Sequence, residues 1–207
     1  MSICQCPLST ALPTIPSQGC AKDFGQIQKI VFQRLHKTGA TKNSFTSTAQ
    51  IEKLASWTTL KTASDGSKIA ITPYVEAPTP DGGDPVTFGG GNDTLGGITK
   101  IIGRNPVGMT FALRQVDQSI IKALKAMQCE TDLGVFFLNG DGQILALKDA
   151  SAASTYYPIP IQSLFVGDLK LNGLSSPDDN ALQFALAPNW SDDAEIVTPE
   201  FNPLTDL

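Results

Sequence analysis

The run from Glu76 to Gly97, EAPTPDGGDPVTFGGGNDTLGG, limits what this chain can fold into more than any other stretch. It lies between two strand-like segments, Lys68 to Val75 and Ile98 to Ile102, and is far longer than the ~2–5 residues that usually join paired strands. Its three prolines and seven glycines exclude helix and disfavour regular sheet. Proline withholds a backbone N–H, and glycine loses the most conformational freedom on ordering. These residues predict an irregular arm that takes its order from another subunit, with Glu76, Pro78, Asp81, Asp84, Val86, Phe88, Asn92 and Leu95 as the inter-subunit residues.

The flanks of the arm read as a mainly β domain. Gln26 to Leu35, with Ile27, Ile30, Val31, Phe32 and Leu35, predicts a strand, and Ser47 followed by Gln50 has the form of a capping box opening a short helix through Ile51, Leu54, Ala55 and Trp57. Asp65-Gly66 marks a turn before the strand Lys68 to Val75. Ile98 to Gly103 and Met109 to Gln115 read as a hairpin-like pair joined through Asn105-Pro106. Val116 to Cys129 then changes to a helical period, with Val116, Ile120, Ile121, Leu124 and Met127 on one face. Asn139-Gly140-Asp141-Gly142 between Leu133–Leu138 and Gln143–Leu147 is a hairpin signature. Ile161 to Val166, Asp168 to Leu171 and Ala181 to Ala187 complete the strands. The fold class that follows is a β-sandwich or barrel with one major flanking helix, a short second helix, a long inter-strand arm and extended termini. Residues 1–22, which include Pro7, Pro13 and Pro16, read as an extended arm, residues 23–188 as the β domain, and residues 189–207 as an acidic tail that is either loose or a second strap.

Charge separates along the chain. Up to Met127 there are 13 basic residues against 8 acidic ones; from Gln128 onward there are 2 against 12, for a net charge of -5. This balance argues against a nucleic-acid groove held by phosphate contacts. Opposite halves either pack within one fold or let copies meet through opposite faces. Charged residues are only 17% of the chain, which suits extensive burial against copies of itself. No segment reaches the ~18 apolar residues of a membrane span, and the N-terminus lacks a signal-peptide pattern, so synthesis in a cytoplasm is expected.

Chemistry-bearing motifs are sparse. Cys4, Cys6, Cys20 and the only histidine, His36, match no familiar zinc spacing. Gly89-Gly90-Gly91 is followed by no Gly-Lys-Ser/Thr, so no phosphate cradle is expected. A calcium loop centred on Gly142 would place Phe137 and Lys148 at ligand positions. No catalytic residue, metal or cofactor is therefore assigned.

The wording Lys29-Ile30-Val31-Phe32, Ser67-Lys68-Ile69-Ala70-Ile71-Thr72-Pro73-Tyr74 and Phe88-Gly89-Gly90-Gly91-Asn92-Asp93-Thr94-Leu95-Gly96-Gly97, with the order of elements over most of the chain, resembles phage tail tube proteins and is similar to structural proteins of Bacteroidetes-type phages and prophages. The resemblance implies a β-sandwich or barrel flanked by a helix, and six copies closing into a ring. Rings would stack into a tube in the virion tail that conducts DNA during ejection, with other tail proteins as partners and only transient, non-specific passage of DNA. Asp132, Asp141, Asp149 and Asp168 are the candidate acidic residues of the bore, where like charge would keep DNA from adhering. Three other readings stay open: a head-tail or capsid accessory protein, a carbohydrate-binding β-sandwich using Trp57, Trp190 or Tyr156-Tyr157, and an enzyme using His36.

Overall fold

A strand that faces water on one side alternates apolar with polar residues, and the segment Leu133–Asn139 does not alternate: all seven of its residues, LGVFFLN, are buried. Such a strand needs cover on both faces. The computed structural model describes residues 23–152 and 154–207; the expected N-terminal arm at 1–22, with Cys4, Cys6 and Cys20, lies outside the described residues. In chain order the elements are β1 (Ile27–Arg34), β2 (His36–Thr38), β3 (Thr41–Lys42), α1 (Thr48–Glu52), α2 (Leu54–Thr62), β4 (Ile69–Ile71), β5 (Glu76–Gly82), β6 (Pro85–Gly89), β7 (Thr99–Arg104), β8 (Val107–Arg114), α3 (Gln118–Ala126), β9 (Leu133–Asn139), β10 (Ile144–Lys148), β11 (Tyr156–Tyr157), β12 (Ile159–Val166), β13 (Asp179–Leu186), β14 (Ala194–Val197) and α4 (Pro203–Asp206).

All pairings are antiparallel. β9 pairs along its length with β1. Its other edge is shared between β10, which takes Leu138 and Phe137, and β12, which takes Val135 and Gly134. From β12 the path runs through β13 and β8 to β5. It returns to its start through the chain itself. β4 pairs with β1, the Thr72 N–H donates to Ile30 O at 2.9 Å and the Val75 N–H donates to Gln28 O at 2.8 Å, and the next residue begins β5. The strands thus close into a barrel, and Pro73, which cannot donate, is accommodated where Thr72 Oγ1 accepts from the Ile30 N–H at 3.0 Å.

Two cores lie on opposite faces of β1 and β9. Inside the barrel, Ile30 and Phe32 meet Val135 and Phe137, Phe111 from β8, and Leu182 and Phe184 from β13. The amphipathic α3 adds Ile121 and Leu124 from the barrel end at which β8 terminates. Outside, Val31, Phe136 and Leu138 meet Ile144 and Ala146 of β10, Val197 of β14, and Phe45, Ile51 and Trp57 from the α1–α2 region. Trp57 is fully buried, lies 4.7 Å from the ring centroid of Phe45 and 5.2 Å from that of Phe136, and donates its indole N–H to Ile51 O at 2.8 Å.

The mainly β class, the helix over 116–129, the β9–β10 hairpin and the strand over 26–35 match the sequence reading. Other expectations need correction. The arm Glu76–Gly97 is mostly strand, since β5 and β6 fall within it. β7 and β8 do not pair with each other: β7 pairs with β6, and β8 pairs with β5 and β13. The single helix from Ser47 is two helices broken at Lys53, whose backbone is extended. Ser47 makes no side-chain cap, and Gln50 Oε1 instead accepts from the Thr46 N–H at 2.8 Å. Asp168 to Leu171 forms only an isolated bridge, Lys170 to Asp179. The acidic tail is not loose but folds onto its own chain: β14 pairs with β10 along Ile144–Leu147, and Pro203 of α4 is buried.

The crowding at β9 is testable at Gly134. A Cβ there would lie 2.7 Å from Leu35 Cδ2, 2.8 Å from Pro158 Cβ and 3.1 Å from Ile159 O. Gly134→Ala is expected to destabilise the fold by about 1–3 kcal/mol through overpacking, read as a lower urea midpoint with unchanged slope.

Candidate functional site

Residues 76–114 form one long two-stranded ribbon. Its base is β5 on β8, in register from Glu76 with Ala112 to Gly82 with Val107, and its outer half is β6 on β7, from Pro85 with Arg104 to Gly89 with Thr99. The ladder crosses the junction: the Gly83 N–H donates to Pro106 O at 3.3 Å and the Asn105 N–H donates to Asp84 O at 2.9 Å. Gly82 and Gly83 take φ of 91° and 84° there, a left-handed corner that side chains disfavour. The arm's glycines therefore shape a corner and a tip instead of preventing sheet. Pro78 and Pro80 are tolerated because, among the described residues, β5 pairs on one side only, with β8.

The two halves differ in what covers them. β8 at the base is flanked by β13, and its Met109, Phe111 and Leu113 enter the barrel core. Among the described residues, β6 and β7 pair only with each other. Their apolar side chains face solvent: Phe88 is 56% exposed, Ile98 63%, Ile101 64% and Ile102 51%, with Val86 exposed as well. Arg104 donates to Asn189 Oδ1 just beyond the end of β13, bracing the corner against the barrel.

The predicted arm residues separate accordingly. Glu76 pairs with Arg114 inside the same molecule, and Pro78 and Asp81 belong to the base. Asp84 marks the corner, Val86 and Phe88 lie on the exposed β6, Asn92 is in the turn at the tip, and Leu95 opens a short 3-10 turn over Leu95–Gly97. Ile98, Ile101 and Ile102 are exposed like Val86 and Phe88 but were readable only as an ordinary strand. The signal available for them was that the return strand of a long arm has no other strand beside it.

The four acidic candidates are not brought to one surface. Asp132 brackets the end of β1, its Oδ1 lying 2.8 Å from His36 Nδ1 and its Oδ2 accepting from the His36 N–H at 3.0 Å. Asp168 pairs with Lys125 of α3, which lowers its pKa through that hydrogen bond and charge. Asp149 follows β10, and Asp141 sits at the opposite end of that strand in the β9–β10 turn. Asp141 alone of the four has no side-chain hydrogen bond among the described residues. Of the aromatic residues considered for a sugar platform, Trp57 and Tyr156 are buried, Trp190 is half-buried against the barrel core, and Tyr157 is half-buried beneath Lys42. The ring of His36 is engaged by Asp132. No group of three metal-ligating side chains occurs among the described residues, and no described helix is long and apolar enough to cross a membrane.

No protein-family model, curated protein or solved structure matches the chain.

Asp149 offers a pH test of the β10–β11 turn. Its carboxylate accepts from the Ser151 hydroxyl at 2.6 Å, the Ser151 N–H at 2.8 Å and the Tyr157 hydroxyl at 3.1 Å. These bonds, Ser151 first, hold its pKa down to about 2. A carboxylate depressed below its unfolded value of ~3.9 stabilises the fold above that pH and loses the contribution as pH falls toward 2. Thermal melts of Asp149→Asn should show a lower Tm than the unmodified chain at pH 7, with the gap narrowing between about pH 4 and pH 2.

Proposed function

We propose that this chain is a virion structural protein of the tail-tube kind, assembling into stacked, hexameric rings that conduct DNA during ejection. The observation that carries this reading is the outer half of the ribbon. An isolated two-stranded hairpin is at best marginally stable in water. This one also exposes Phe88, Ile98, Ile101 and Ile102, and fully burying each such side chain is worth about 1.5–3 kcal/mol. A surface of that kind gains most when another subunit covers it. The ribbon is already formed as a ladder, so association need not order a flexible arm from scratch, which lowers the entropy cost of binding.

The open edges of β6 and β7 point the same way. Unpaired strand edges invite further strands, and ring closure or stacking satisfies them. Acidic residues from the second half of the chain supply the like charge that keeps DNA from adhering to a conduit wall. Asp141, exposed and without a hydrogen-bonded partner for its carboxylate among the described residues, is the strongest of the four candidates for the bore; Asp132, Asp149 and Asp168 are engaged within the subunit.

Negative-stain electron microscopy across a concentration series tests the reading. Hollow tubes or stacked rings are the expected result, whereas single closed rings would favour a head-tail or capsid accessory protein. Replacing Gly83–Pro106 by Asn-Gly joins the paired residues Gly82 and Val107 through a favoured two-residue turn. This variant is expected to keep the unmodified chain's circular dichroism and cooperative melting while forming no tubes. Unimpaired tube formation would remove the ribbon from assembly.

A further inference from the structure

Among the described residues, the ribbon is one of two exposed apolar clusters. Phe165, at 52% exposure near the end of β12, and Leu169, Leu171, at 77%, and Leu174, fully exposed, on the connection from β12 to β13, form the other. This connection is built as a rigid projection. Asn172 donates its side-chain amide to Pro177 O at 2.9 Å and its backbone N–H to Asp178 Oδ1 at 2.9 Å. Lys170 and Asp179 exchange backbone hydrogen bonds at 2.8 and 3.2 Å, and the buried Asn180 donates to Gly167 O at 3.0 Å. At its root, Lys125 of α3 pairs with Asp168, and Gln128 donates to Val166 O at 3.1 Å. A loop fixed by this many polar contacts while presenting leucines to water is shaped to be covered.

Strand register places the two features at opposite ends of the barrel. Gly82, Val107 and Leu186 share one level, and the ribbon leaves from there. Arg114 and Asp179 share the level at the other end, where the projection lies. The outer ribbon leads away from that end, so within one molecule the two features face apart. Each is apolar, and apart from Tyr74 they hold the exposed large hydrophobic side chains of the described residues.

We infer that the segment Phe165–Leu174 is the acceptor for the outer ribbon of a second copy, so that copies join head to tail. The inference rests on the tail-tube reading for its partner and adds the surface that the ribbon meets. A contact between two different patches at opposite ends is heterologous, and it propagates or closes according to the rotation between copies. The segment 168–171 is extended at Lys170 and, among the described residues, its backbone is paired on one side only, with Asp179. It therefore offers a strand-like edge to β6 or β7, with Leu169 and Leu171 beside the ribbon's isoleucines.

Two double variants test this. Leu171→Asp with Leu174→Asp disables the acceptor, and Phe88→Asp with Ile101→Asp disables the ribbon; all four positions are exposed, and unchanged circular dichroism and melting verify folding. Each variant alone is expected to sediment as a monomer at concentrations where the unmodified chain assembles. Their equimolar mixture retains one intact ribbon and one intact acceptor, and is expected to form 1:1 dimers without longer products. An acceptor variant that assembles like the unmodified chain, or a mixture that stays monomeric, overturns the inference. Tubes formed by both the unmodified chain and the acceptor variant would sink the inference but leave the tube reading standing. Finite, non-tubular particles that need both patches would do the reverse, and an unmodified chain that stays monomeric throughout the series would overturn both.

Discussion

Burial of β9 on both faces is the constraint from which the rest of the structure follows. A strand with Val135 and Phe137 on one face and Phe136 and Leu138 on the other cannot sit in a sheet with a wet side. The barrel answers one face and the α1–α2 layer with β10 and β14 answers the other. Because β9 must also pair on both edges, β1 takes one edge entirely, and β10 and β12 divide the second. That division sends β10 into the outer layer and β12 into the barrel. Gly134 sits beside the start of β12, where Pro158 and Ile159 leave no room for a side chain.

The two-core arrangement explains why the chain's last residues are structural. β10 has one edge on β9 and β11 and would expose the other, which β14 occupies. Lys29 and Lys61 then donate to the carbonyls of Leu204 and Leu207 at 2.7 and 2.6 Å. Desolvation, with Lys61 nearby, lowers the pKa of Lys29.

Against this well-covered body the outer ribbon stands out. The barrel closes on itself, yet β6 and β7 are held clear of it by a glycine corner and an Arg104 brace, and they place isoleucines and a phenylalanine in water. The rigid projection between β12 and β13 repeats the pattern at the other end. The fold thus buries its interior while leaving apolar groups exposed at two opposed ends.

Local sequence was sufficient for features governed by short-range rules. The 3.6-residue period of Ile120, Ile121 and Leu124 determined α3, the Asn139–Gly142 turn determined the β9–β10 hairpin, and the apolar density of Leu133–Leu138 required burial. Tertiary structure decided what depends on residues far apart. Prolines and glycines in 76–97 argued against sheet, but a strand is made by its partner: Thr110 and Met109 supply one for Thr79 and Pro80, and Lys100 and Thr99 supply one for Phe88 and Gly89. The acidic tail gained a strand because β10 had an open edge, and Asp168–Leu171 lost one because Lys170 alone reaches Asp179. Whether Ile101 or Phe165 faces core or water is likewise undetermined by its neighbours in the chain. It depends on which strand lies opposite, and backbone hydrogen bonding between distant segments is invisible to a local pattern.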